Sequence, residues 1–216
     1  MTRHRGLGIS ASAILALGAL FVAPLAHAEG TCPTALPPGV TCGTPDVAGA
    51  PAGTYTVDPS HAAIVAKVSH IGYSYSLFRF GKVTGTLEWN PAAPQASKLT
   101  TSVETASILT PVPGFPAELS GPQYLKSAAF PQATFVSTAF HRQDATHGKV
   151  DGQFTFLGVT KPMTFEVTLI GTGKGFGAPR LGIEATSSLD PKAFGMSPLF
   201  VVPIQLVIDA EFVKGA

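Results

Sequence analysis

Asp58, Ser60 and His61 place an acid, a hydroxyl and an imidazole within four residues, the side-chain types of a nucleophilic relay. Neighbours this close on an extended strand point to opposite faces by turns, so a relay along one strand is awkward. No Gly-x-Ser-x-Gly elbow is present either, and Asp58-Pro59 reads as a turn signal capping a strand. Past the first 28 residues the histidines are His61, His70, His141 and His147, none paired at a helical ligand spacing or beside a Cys or carboxylate cluster; no metal site is expected. Gly171-Thr-Gly-Lys-Gly-Phe-Gly177 superficially suggests a phosphate loop. It lacks the Walker spacing and a Ser/Thr after Lys174, and a hairpin between strands ending near Ile170 and starting near Arg180 accounts for its glycines. No cofactor motif remains.

The front of the chain bears on the two cysteines. Arg3, His4 and Arg5 precede an uncharged stretch from residue 6 to 26, and Ala26-His27-Ala28 supplies a small-x-small cleavage pattern. Residues 1–28 therefore read as a secretory signal peptide, with a periplasmic or secreted destination. An uncleaved anchor is the alternative, since residues 7–25 could just span a bilayer, but Ser10, Ser12 and Pro24 weaken it. Cys32 and Cys42 follow in a Pro/Gly-rich segment, residues 29–52, that reads as a tail or linker. Two cysteines in an exported chain point to a disulfide, constraining the unfolded chain by about 2–3 kcal/mol.

Removing residues 1–28 takes Arg3 and Arg5 and leaves 188 residues with 12 basic and 13 acidic side chains, net −1. That length suits one domain with a hydrophobic core, residues 53–216. The charge balance gives no support to nucleic-acid binding, and no later stretch reaches membrane-spanning length. With 14 Phe, 23 Gly and 19 Pro and only 12% charged residues, the composition favours a turn-rich all-β domain.

Period-2 alternation carries the body of the chain. Ile64, Ala66 and Val68 share one face; Val83, Gly85, Leu87 and Trp89 another; Leu99, Thr101 and Val103 a third. Later runs are Val150, Gly152, Phe154 and Phe156; Met163, Phe165, Val167 and Leu169; Leu181, Ile183, Ala185 and Ser187; and Ile204, Leu206, Ile208, Ala210 and Phe212. With a strand around residues 133–141, about eight strands result. A closed antiparallel barrel buries such faces and removes edges, and a sandwich satisfies the same alternation. Residues 111–131 hold too many prolines for a central strand. A helical turn over 118–125 or 123–129 fits there, within a lid or a cap over the core.

The residues also resemble a known family. Tyr55-Thr-Val-Asp-Pro-Ser-His61, Ser69-His70-Ile-Gly-Tyr73, Gly85-Thr-Leu-Glu-Trp-Asn-Pro91, Tyr124-Leu-Lys-Ser-Ala-Ala-Phe-Pro131 and Leu157-Gly-Val-Thr-Lys-Pro162 are similar, in order, to segments of the YceI-like, lipocalin-like polyisoprenoid-binding proteins. The similarity extends to Ala133-Thr-Phe-Val-Ser-Thr138 and to Asp190 with Phe194-Gly195, covering about residues 53–214. It implies an about eight-stranded lipocalin-like antiparallel barrel, usually periplasmic, around a long apolar chain such as an isoprenoid or other lipid, with a homodimer as a further suggestion. Two departures are apolar: Ser-Tyr-Ser-Leu-Phe-Arg-Phe80 after Tyr73, and Pro198-Leu-Phe-Val-Val-Pro203 before the last strand.

Candidate ligand-binding residues are therefore His70, which suits a ligand head group or a neighbouring loop, and the apolar set Tyr73, Tyr75, Phe78, Phe80, Phe115, Leu119, Tyr124, Leu125, Phe130, Phe156, Phe165, Phe194 and Phe200. The expected function is carriage or sequestration of an amphiphile, without catalysis. The rivals are an enzyme on a lipid-like substrate using His61 or His70, and a structural β-sandwich with a filled core.

Overall fold

A computed structural model describes residues 32–215. The expected leader, residues 1–28, lies outside the described residues. Ten strands follow in chain order: β1 (Gly53–His70), β2 (Ser74–Phe80), β3 (Val83–Trp89), β4 (Lys98–Glu104), β5 (Ile108–Leu109), β6 (Gln132–Arg142), β7 (His147–Phe156), β8 (Val159–Gly173), β9 (Arg180–Leu189) and β10 (Ile204–Lys214). The strands β1-β3-β4-β6-β7-β8-β9-β10 form an antiparallel ring that closes where β10 pairs with β1. Closure leaves no free edge in the ring and distinguishes the barrel from a sandwich.

β1 makes that closure possible. Its first residues pair with β3, Gly53 opposite Trp89, and its last with β2, His70 opposite Ser74. Along β10 the register runs Val57 to Phe212 and then Ala62 to Ala210, so β1 advances five residues while β10 advances two. The bulge flips the parity of the strand. Tyr55 and Val57 face inward before it and Ala62, Ile64 and Ala66 after it, while residues 58–61 are expelled to the surface. Pro59, which a regular ladder would reject, sits inside the expelled loop.

Register also defines two ends. The mouth end carries the β1–β2 turn, the β4–β6 connection, the β7–β8 turn and the β9–β10 connection; the floor end carries the β3–β4, β6–β7 and β8–β9 turns and the N-terminal segment, and the β2–β3 connection lies between the two. At the mouth, β5 continues β4 upward to pair with β2 at Arg79 and Phe80. The gap between β5 and β6 is filled by residues 110–131, including the helix α1 (Phe115–Ser120). The helix starts earlier than the expected 118–125, because Pro116 is tolerated in a first turn, and it stops at Gly121 before Pro122, leaving 123–129 in turns and not a helix.

At the floor, the segment read as a tail packs from Thr41 onward. Thr44 bridges Thr172 of β8, whose hydroxyl donates to the Asp46 carbonyl, and Ala50 is fully buried. The Trp89 indole donates to the Ala50 carbonyl at 3.1 Å and the Tyr55 hydroxyl to the Pro51 carbonyl at 2.7 Å. Cys32 and Cys42 are joined in a disulfide just before this strap. Composition hid the packing, since the strap is held mainly by backbone groups and two aromatic donors on other strands.

Candidate functional site

The inward faces of the ring enclose an apolar cavity of about 300 Å³ running from Ala50, Trp89 and Phe212 at the floor to Tyr124, Met196 and Phe200 at the mouth. Ile64, Val68, Leu206 and Ile208 face it by register and yet stay only half-buried, because the space beside them is open. Phe135 and Phe165 meet edge to face at 5.0 Å on the far wall. Gly152 permits this, since a Cβ there would sit 2.4 Å from the Phe135 ring. Among the described residues, the charged side chains that border the cavity are Arg142, Asp144 and Lys149, at and beside the β6–β7 turn. Backbone N–H groups of Thr146 and His147, donating to Asp144, hold its carboxyl down at about 2.

The sequence-predicted residues divide by position. Phe78, Phe80, Leu119, Tyr124, Leu125, Phe156, Phe165 and Phe200 line the cavity. Phe115 packs behind Phe78 with ring centroids 6.2 Å apart, and Phe194 lies behind Phe154 and Phe156 at 5.5 and 6.0 Å. Phe130 packs against the mouth-end core beside Gly158. His70, Tyr73 and Tyr75 do not line the cavity; they sit on the outside of the mouth, with Tyr73 89% exposed. The aromatic set leaves out an aliphatic wall: Val57, Ile64, Leu87, Leu99, Leu181, Ile183 and Ile208 all line the space. Most were already marked by their period-2 faces.

The match that decides kinship spans most of this barrel: the profile of the YceI-like domain covers residues 55–212. The chain belongs to the YceI-like family. A UPF0312 protein of Pseudomonas fluorescens (strain SBW25) is 37% identical over 148 residues, 67% of this chain and 77% of that one. One from Pseudomonas putida (strain GB-1) is 35% identical over the same shares. Among solved structures, Burkholderia cenocepacia BcnA superposes with a TM-score of 0.65 at 19% identity, over 72% of this chain and 98% of that one. A polyisoprenoid binding domain from Saccharophagus degradans, implicated in plant cell wall breakdown, gives 0.54 at 11%, over 74% and 98%. These likenesses establish a shared barrel.

Outside the YceI-like barrel, the expelled bulge gathers the candidate catalytic types. His61 Nδ1 lies 3.0 Å from Asp58 Oδ2, while the Ser60 backbone N–H, not its hydroxyl, bonds the other Asp58 oxygen. Arg180 donates to Asp58 at 2.8 Å and to Glu211 at 2.7 Å, and its guanidinium lies over Phe176 at 5.1 Å. His61, then Arg180, holds the Asp58 carboxyl well below the usual range. Asp58, His61 and Glu211 stand close enough to share an ion, but Arg180 already bonds both carboxylates. The cluster clamps β1, β9 and β10 together on the outer wall. Neither His61 nor His70 reaches the cavity interior.

Proposed function

We infer that this protein is exported and holds a long apolar chain, an isoprenoid tail or a similar amphiphile, inside its barrel, carrying or sequestering it in the periplasm without chemical change. The supporting observation is the apolar cavity running from floor to mouth, with charged groups among the described residues confined to the region of one turn. Each buried methylene contributes about 0.8 kcal/mol, so a tail of about a dozen carbons has ample gross driving force. The polyisoprenoid binding domain of Saccharophagus degradans, which shares the fold, lends the ligand class further support.

Native mass spectrometry of the protein purified from the export compartment, followed by solvent extraction, tests the reading. The expected result is a mass adduct that extraction identifies as a polyprenyl or acyl lipid. A protein recovered without lipid, and unable to take up either chain type when offered, overturns it.

A further inference from the structure

Two turns at the mouth have the same backbone and opposite surroundings. In the β7–β8 turn, Leu157 (φ 50°) and Gly158 (φ 77°) connect Phe156 directly to Val159. In the β1–β2 turn, Ile71 (φ 54°) and Gly72 (φ 78°) lie between His70 and Tyr73, whose backbones bond at 3.0 Å. Such turns favour Asn-Gly, and an apolar side chain at positive φ is strained, a β-branched one most of all. Leu157 is buried in the core, which offsets its strain; Ile71 is 83% exposed and has no such burial among the described residues.

Ile71 is not isolated. Lys67 pairs with Leu77 on one side and Gln205 on the other, so the β1–β2 tip and the connection leading into β10 emerge side by side. That connection turns at Ser197, whose carbonyl accepts from the Phe200 N–H, sending Phe200 into the cavity and leaving Leu199 73% and Val201 63% exposed. Tyr73 at the turn and Tyr75 and Leu77 along β2 extend the apolar surface. Lys67, Arg79, Lys126, Lys161 and Lys192 stand at this end, none in an ion pair among the described residues, against Glu118 and Asp190. Asp58 and Glu211, toward the floor, are both paired with Arg180, whereas the five cations at the mouth face two acids, so the apolar rim is locally cationic. Exposed apolar groups ringed by unpaired cations match the physical requirements of a surface that rests on anionic lipid.

We propose that the rim built by the β1–β2 tip and residues 197–203 docks on an anionic lipid bilayer, turning the mouth of the cavity toward the membrane. Ile71, Leu199 and Val201 enter the interface, the lysines of the rim, Lys67 over the Tyr75 ring among them, and Arg79 face lipid head groups, and Phe200 links the rim to the cavity. The role as a delivery or extraction point rests on the reading of the cavity as a lipid site; the docking itself does not.

Vesicle flotation tests it, using phosphatidylcholine vesicles with and without about 30% phosphatidylglycerol, and wild type and variants sharing the same N-terminus. The wild type is expected to float with the anionic vesicles, less so with neutral ones, and to be released by salt. Ile71→Asn with Leu199→Ser should lower binding on the order of tenfold, and Lys67→Glu with Lys192→Glu should abolish the anionic preference. Ile170→Ser, an exposed apolar change at the floor, should have no effect. Absence of vesicle binding by a folded wild type overturns the proposal, as does equal binding by the Ile71/Leu199 variant. So does a dimer disrupted by Leu199→Asp that binds no vesicles, which would assign the rim to a second copy. Lipid retention, read separately by native mass spectrometry, tells failure of docking from failure of the cavity reading.

Discussion

Asp58 illustrates how a residue chosen for its chemistry acts instead through charge. Its carboxylate accepts from the His61 ring and the Arg180 guanidinium, and its pKa falls in the folded state. A depressed folded pKa stabilises the protein fully above the unfolded value of about 4, and that contribution is lost as pH falls further. Asp58→Asn should therefore lower Tm at pH 7, and the gap to wild type should narrow below about pH 4. A gap of constant size between pH 7 and pH 3 would show that the clamp works through shape and not ionisation. Ile71 allows the opposite prediction. Replacing it with Asn, which adopts a left-handed backbone more readily, should stabilise the fold by about 1 kcal/mol. For a domain this size, that is roughly 2–4 °C in Tm. A loss of stability would mean that Ile71 makes a compensating contact within the fold.

The elements were legible to the degree that one face of each had a single environment. β7, β8, β9 and β10 alternate cleanly, and the structure places them as the sequence reads them. β1 was harder, because its bulge flips parity and divides one 18-residue strand into two apparent ones. β2 reads in the sequence as an aromatic departure and not as a strand; it stands outside the closed ring, so its outward residues Tyr75 and Leu77 are apolar too and blur the alternation. The cavity wall follows from the alternating faces, whereas His70, Tyr73 and Tyr75, on or beside a turn that no alternation orients, stand on the outer rim. The strap was the least visible element, as backbone bonds such as Thr44 to Thr172 leave no compositional trace. Its anchoring carries a prediction about the disulfide. Converting Cys32 and Cys42 together to Ser should cost about 2–3 kcal/mol in unfolding experiments through the unfolded chain. The floor should stay closed, because Ala50, Trp89 and Tyr55 hold it independently. Increased protease cleavage within residues 44–50 of the folded variant would show that the strap depends on the disulfide.

At the scale of the whole molecule, a closed sheet with an open interior is less stable than a filled one by the contacts its lining lacks. Ile64, Val68, Leu206 and Ile208 face that space, so an apolar chain bound there, as proposed, would supply the missing contacts and act as part of the core. Stability then depends on ligand through mass action, and free ligand at 100 times its Kd adds about 2.7 kcal/mol. Protein stripped of lipid by solvent and refolded should melt lower than protein as purified, and a long-chain amphiphile should restore Tm in a concentration-dependent way. Ala66 projects from β1 into the middle of the cavity beside Phe78 and Leu206. Ala66→Phe places a ring where the chain would lie. Stripped Ala66→Phe protein should therefore melt close to or above stripped wild type, and added amphiphile should leave its Tm unchanged. An equal ligand-dependent rise in both proteins would place the bound chain outside the barrel, on the apolar rim at the mouth. The low charge of this chain would then belong to its surface rather than its interior.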